Sequence, residues 1–393
     1  MCGNITINAT SGSVTIGNIS GNCGNITHPS ASPLTIGTIG GTCGAISYTA
    51  TSAGNATIGT ITGNVTSLTV NTAATACSLS FTGNVTIAGT FAHNSGRVSF
   101  PGTTALNGNV TSATSASIIL GGDNTNITLG GTMTASNTFA ATEPYINNLT
   151  LNKAGAFSFS LSGPLRVKNT LTLTTGTLTL NGQRVRVGNL AHTSGNILTT
   201  ATADLYVFNA PTANYAIPFS GTTPAFDTLS ITPSEPGSFT YSFSTGLTGL
   251  STLVNSSNLT MSAGTGFTTL ARVNHSGGTL TTPATLLTTI STLNLSGGNF
   301  ASGAALTTVT TLNQSGGVFN ASTTLANMTT LAISAGTFNV GRTSGTTVAT
   351  AINHSGGTIA FAPNTFFLGA ATYTPSGTPI LDIKDADGIL STG

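Results

Sequence analysis

Along residues 171–190, "LTLTTGTLTLNGQRVRVGNL", apolar and polar positions alternate with period two, broken at Gly176 and at Asn181-Gly182. A period of two sends successive side chains to opposite faces, so the stretch predicts short strands buried on one face. Gly and Asn-Gly at the breaks predict tight turns. No window of useful length sets apolar residues at i, i+3, i+4 and i+7, so helices are expected to be nearly absent.

A longer period lies over the short one. The frame "LTTISTLNLSGGNF" (287–300) recurs as "LTTVTTLNQSGGVF" (306–319) and "LANMTTLAISAGTF" (325–338), each shifted from the last by the same step. Leu293, Leu312 and Leu331 then form one apolar column with Ile352, and Phe300, Phe319 and Phe338 form another with Ile359. Thr292, Thr311 and Thr330 make a polar column. Near the N-terminus "CGNI" begins at positions 2 and 23 and "CGAI" at 43, a closely similar spacing. Strands of 3–6 residues and Gly/Asn/Ser corners fill about 20 residues, one coil of a solenoid whose apolar face is buried only by the next coil. The expected fold is all-β: a parallel β-solenoid (β-helix) with coils of about 19–22 residues.

Regularity divides the chain into an N-terminal solenoid segment (1–140) with the cysteine repeat, a less regular β region (141–260), a C-terminal regular solenoid (261–375) and a charged tail or end-cap (376–393). The middle region, Pro-rich at 209–238, reads as longer coils with protruding loops, as a break between two solenoid segments, or as a β-sandwich insertion.

Charge changes the picture most. Only 4% of the 393 residues are charged and the net charge is +1, against roughly 25% charged in ordinary domains. So little charge opposes association weakly. The nine Lys plus Arg read as scattered, without the patch that nucleic-acid binding needs. No apolar run is long enough for a transmembrane helix. "MCGNITINATSGS" lacks the basic and apolar regions of a signal peptide, so a secreted form is expected to be the mature chain.

The stretch "LRVKNTLTLTTGTLTLNGQRVRVGNL" (165–190) and the "LNxSGGxF" frames resemble the Thr/Gly/Asn-rich solenoid repeats of microbial surface proteins. Sheath and fibre proteins and adhesins of the filamentous-haemagglutinin style share this texture. The resemblance implies an extracellular or cell-surface, non-enzymatic role and supplies no catalytic residues.

Candidate chemistry is sparse. His275 and His354 share a repeat slot that Leu295 and Gln314 also fill, and His93 and His192 sit in similar "AHxSG" corners. A slot that accepts His, Leu and Gln reads as a turn-flanking position, not a ligand. The eight Asp plus Glu form no pair at matching repeat positions, so no catalytic residue, metal or cofactor is expected. "DIKDADG" (382–388) has Ile383 where a calcium loop needs its first Asp. Cys2, Cys23 and Cys43 share one slot on successive coils, and Cys77 follows. Coils about 4.8 Å apart fall within disulfide Cα range, so the four are disulfide candidates, against a plain ladder of buried thiols. About eighteen Asn-x-Ser/Thr sequons occur. Asn4, Asn84, Asn148, Asn258 and Asn294 are glycosylation candidates, against side-chain ladders along the solenoid.

The expected function is an extracellular structural protein whose strands stack into a fibre, filament or sheath, with itself as partner. The alternative is an adhesin or carbohydrate-binding stalk for surface glycans, with Tyr206, Phe208, Tyr215 and Phe219 as stacking aromatics. A phage fibre or an ice-binding Thr array ranks below these.

Overall fold

The computed structural model describes residues 2–9, 11–51, 54–72, 77–100, 103–112, 117–120, 126–130, 137–139, 146–154, 158–161, 163–199, 203–209, 213–219, 225–233, 239–243, 247–261, 267–340, 346–361, 366–368, 372–383 and 391–392. Among the described residues there is no helix, and the strand pairings are parallel. The chain is a β-solenoid divided into two compact units, Met1–Leu198 and Thr199–Gly393. The division falls inside the 141–260 region.

In the first unit one row of strands runs Ile5–Thr6, Ile26–His28, Cys43–Tyr48, Asn64–Val70, Phe91–His93 and Val110–Ser112. Its inward column is Ile5, Ile26, Ile46, Leu68, Phe91 and Val110, one residue from each successive coil. A second row, Val14–Ile16 to Ser117–Leu120, stacks on a separate face. A third runs from Val85–Ile87 through Asn148–Asn152 to Leu165–Thr175 and Arg184–His192.

In the second unit the leading row passes through Leu205, Leu229, Leu253, Val273, Leu293, Leu312, Leu331, Ile352 and Tyr373. The first two steps, Leu205 to Leu229 and Leu229 to Leu253, are longer than the expected coil; from Leu253 onward every step falls within it. Residues 203–255 therefore continue the parallel ladder in longer coils. The columns read from sequence are the core: Leu293, Leu312 and Leu331 are fully buried, as are Phe300, Phe319 and Phe338. The three phenyl rings stack at 5.1 Å between centroids. Each such side chain, buried against the coil on either side, stabilises by roughly 1.5–3 kcal/mol.

Corners carry the rest of the pattern. Gly278, Gly298, Gly317, Gly336 and Gly357 all have positive φ. This is the left-handed region open to glycine, and it explains the second glycine of each "SGG" corner. In the first unit Asn side chains bridge coils. Asn4, Asn18, Asn22 and Asn25 each accept, through Oδ1, a backbone N–H of the following coil at 2.9–3.0 Å. The residue before each donor is Gly24, Gly37, Gly41 or Gly44, and a Cβ there would run into that same Oδ1. The recurring Cys-Gly-Asn and Ile-Gly strings are thus one device: an asparagine in one coil and room for it in the next.

Candidate functional site

The histidine slot is interior. Asn255, His275, Leu295, Gln314, Ile333 and His354 are successive register partners, and all are buried to 2% exposure or less. His275 and His354 are four coils apart, roughly 19 Å at about 4.8 Å per coil, so they share no ligand. His275 Nδ1 meets Asn255 Nδ2 of the preceding coil at 3.2 Å, whereas other side chains of this kind close their own corner. His354 Nε2 meets Gly357 O at 3.1 Å, Gln314 Nε2 meets Gly317 O at 3.1 Å, and His93 Nε2 meets Gly96 O at 3.1 Å. A carbonyl only accepts, so both imidazoles carry a proton on Nε2. Leu295 and Ile333 offer the slot no hydrogen bond of their own, and at the Ile333 corner Gln314 Nε2 of the preceding coil donates to Thr337 O at 2.9 Å. Burial lowers the pKa of His93 to about 4, which leaves it neutral at pH 7, and lowers those of His28 and His275 as well. His28 joins the set from another corner, with Nε2 at 2.8 Å from Ser32 O and its ring stacked on Tyr48. His192, expected in the same company, is exposed instead.

Lys153 has no counterpart in the sequence reading. It is 0% exposed, and its ammonium donates to Gly130 O at 2.8 Å, Leu106 O at 3.3 Å and Gly108 O. Leu149 and Leu151 point inward, and the period of two carries Lys153 in with them. That phase was the available signal. Burial pulls its pKa down to about 8, so at pH 7 it is a charged group held by carbonyls.

No disulfide joins any of the four cysteines. Cys23 and Cys43 are direct register partners, and Cys2 stands one coil before them, its N–H donating to Asn22 O at 2.8 Å. Burial, then the neighbouring thiols, push Cys23 up and Cys43 to about 12. This disfavours the thiolate that disulfide formation requires. Cys77 lies apart from that slot, beside Tyr48.

The sequon asparagines are engaged in ladders. Asn294 Nδ2 donates to Asn274 Oδ1 at 2.8 Å, and its own Oδ1 accepts from Asn313 Nδ2 at 2.9 Å. Asn148 Nδ2 donates to Asn126 Oδ1 at 2.7 Å. Asn258, Asn84 and Asn4 accept N–H groups from Thr279, Thr103 and Asn25. Asn4 and Asn84 are exposed. At Asn148 and Asn294 a glycan would have to form on an amide nitrogen already donating within the ladder.

Of the four aromatics proposed for sugar stacking, Phe219 is buried against Phe226 and Phe243, and Tyr215 packs edge-on against Tyr241. Tyr206 and Phe208 remain at the surface, stacked at 6.4 Å, with Phe208 41% exposed. Among the described residues no three His, Cys, Asp or Glu side chains gather as a metal site. In the tail, Asp382 pairs in register with Ala360; Asp385 and Asp387 lie outside the described residues.

One sequence reading is corrected. The cations are not scattered without a patch: Arg166 and Arg186 are direct register partners, with Lys168 and Arg184 two positions away on the same two strands. All four are exposed. They looked separate because the stretch 167–185 hides that one coil brings positions 166 and 186 side by side.

No family model, no curated protein and no solved structure matches this chain.

Proposed function

We propose that the protein is an extracellular structural protein that assembles with copies of itself by strand stacking. The observation that carries this reading is what a coil gains from a neighbour on each side. Among the described residues, Ile5–Thr6 and Val14–Ile16 pair with one row each, Ile26–His28 and Leu34–Ile36. The apolar side chains Ile5, Val14, Ile16 and Ile19 are half-buried there, whereas Ile26, Leu34, Ile36 and Ile39, which have a coil on both sides, are at most 2% exposed. Where no further coil covers it, a face of this kind accepts another strand of like pattern. A second copy provides many, and the scarcity of charge offers little repulsion. Asn ladders reinforce such stacking as polar ladders reinforce cross-β assemblies.

Electron microscopy and sedimentation of purified protein test the reading. Concentration-dependent filaments or sheets are expected. Ile5→Lys with Ile16→Lys, which places charges on the inward side of the edge, should return the protein to monomer with an unchanged circular dichroism spectrum. A wild-type protein that stays monomeric at high concentration overturns the proposal. Antibody labelling of intact source cells tests the location.

The adhesin reading keeps one supporting observation, the half-buried Tyr206 stacked on the exposed Phe208, an aromatic surface suited to a sugar ring. Phe208→Ala should then weaken retention on surface glycans without affecting assembly.

A further inference from the structure

One asparagine ladder of the second unit is interrupted at a single rung. Asn274, Asn294, Asn313, Ala332 and Asn353 are successive register partners. The ladder has a constant direction. Each amide nitrogen donates to the oxygen one coil earlier: Asn294 Nδ2 to Asn274 Oδ1 at 2.8 Å, and Asn313 Nδ2 to Asn294 Oδ1 at 2.9 Å. Ala332 breaks the series. Its methyl group offers no donor to Asn313 Oδ1 and no acceptor to Asn353 Nδ2. Both asparagines are exposed. In the ladder conformation, Asn313 Oδ1 and Asn353 Nδ2 stand about 7.7 Å apart, one hydrogen bond plus one coil. A groove of about 300 Å³ opens here, lined by these residues together with Ser315, Ser334 and Ser355. No charged side chain lines it, which suits a neutral ligand.

We propose that this groove binds an N-acetylated sugar of a neutral glycan, its acetamido group taking the place that Ala332 leaves in the ladder. The place calls for an N–H aimed at Asn313 Oδ1 and a C=O aimed at Asn353 Nδ2. A trans secondary amide carries these two groups on opposite sides. A lone hydroxyl does not suffice, because two hydrogen bonds of about 2.8 Å reach across only about 5.6 Å. The sugar's own hydroxyls then meet Ser315, Ser334 and Ser355, which are exposed and can both donate and accept. Ser334 and Ser355 reach a carbonyl of the preceding coil only at 3.5 Å, so they are not committed elsewhere. An extended peptide also carries trans amides, but it docks by adding to an open strand edge. Strands Thr308–Asn320, Asn327–Val340 and Thr346–His354 are each already paired on both sides. The proposal rests neither on stacking between copies nor on the Tyr206–Phe208 pair, since the groove lies on an outward strand face at other residues.

The experiment is retention of the full-length protein on chitin and on cellulose, with assembly state followed in the same samples by sedimentation. Soluble competitors are the trimer of N-acetylglucosamine, cellotriose, which has a hydroxyl in place of each acetamido group, and acetyl-capped trialanine. Retention on chitin is expected, released by the N-acetylglucosamine trimer at concentrations at least about tenfold below those of cellotriose, as two hydrogen bonds imply. Ala332→Asn supplies the protein's own amide to the ladder. It should lose retention at least about tenfold, with a raised thermal midpoint and the sedimentation of the wild type. Phe208→Ala should be retained as the wild type is. If Ala332→Asn does not fold, Asn353→Ala removes the donor at the same place and should lose retention likewise. Absence of retention on chitin, equal retention on cellulose, wild-type retention by either folded groove variant, or release by trialanine at lower concentration than by the sugar trimer would each overturn the proposal.

Discussion

Lys153 sets two large terms against each other, and pH separates them. Lys153→Met keeps most of the bulk and removes the donor. Gly108 O and Gly130 O then lose the ammonium, while Leu106 O keeps the N–H of Gly130 at 2.9 Å. Two buried carbonyls left without that donor cost about 1–3 kcal/mol each, so roughly 4 kcal/mol together. Against this, burial lowers the lysine from 10.5 to about 8, and at 1.36 kcal/mol per pH unit the charged form is about 3 kcal/mol costly in the folded state. The net loss at pH 7 is therefore only about 1 kcal/mol. The folded-state pKa lies below the unfolded one, so between pH 8 and 10.5 the unfolded chain binds more protons and the wild type gains stability as pH rises. The methionine variant gains nothing from this source. Its deficit should widen from about 1 to about 4 kcal/mol between pH 7 and 10.5. Denaturant titrations of both proteins at the two pH values measure it, and tyrosine and cysteine ionisation cancels in the comparison. A deficit that stays constant or narrows with pH would refute the reasoning, because the carbonyls would then favour the ammonium by more than burial opposes it.

His93 supplies an acid counterpart: its folded pKa of about 4 lies below the usual 6.5, so its stabilisation is present above pH 6.5 and is lost as pH falls through 4, by about 3 kcal/mol. His93→Gln keeps a donor for Gly96 O in the manner of Gln314 and should remove that part of the acid sensitivity; equal loss of stability between pH 7 and 4 in both proteins would contradict it. Phe319→Ala removes the middle ring of the Phe300–Phe319–Phe338 stack and should cost about 3–5 kcal/mol, read as faster hydrogen exchange in the flanking coils; unchanged exchange there would count against a shared core. Thiol titration should find four thiols in denaturant and slow reaction of native Cys43, whose pKa is about 12; two or fewer thiols would reveal a bond within the ladder.

The solenoid was readable because its determinants are periodic. The Leu and Phe columns came from residues recurring at one fixed step, and the register pairs those very residues. What escaped was the combination of two periods. His275 and His354 were read as turn neighbours, although each stands two positions after an inward Val273 or Ile352 and so shares their face. Lys153 follows the same rule after Leu151. The arginines needed both periods at once: alternation with valine to send them outward, and the step of one coil to bring Arg166 beside Arg186. Between 205 and 253 the sequence does not choose between longer coils and a break, because neither period continues through the Pro-rich stretch 209–238.

The register also determines which changes of length the chain can absorb. Losing a single position within a strand exchanges its inward and outward faces. Corners, by contrast, already accommodate both the short step from Leu293 to Leu312 and the longer one from Leu229 to Leu253. Deleting residues 294–312 would join Leu293 to Asn313, and Gly317 and Phe319 would arrive where Gly298 and Phe300 had stood. Such an excision removes one complete layer and recreates an interface of the kind the chain already contains. Insertion of a copied layer does the reverse. Variation by whole coils is therefore nearly neutral for this architecture, and the number of coils is free to drift while the identity of each column is held.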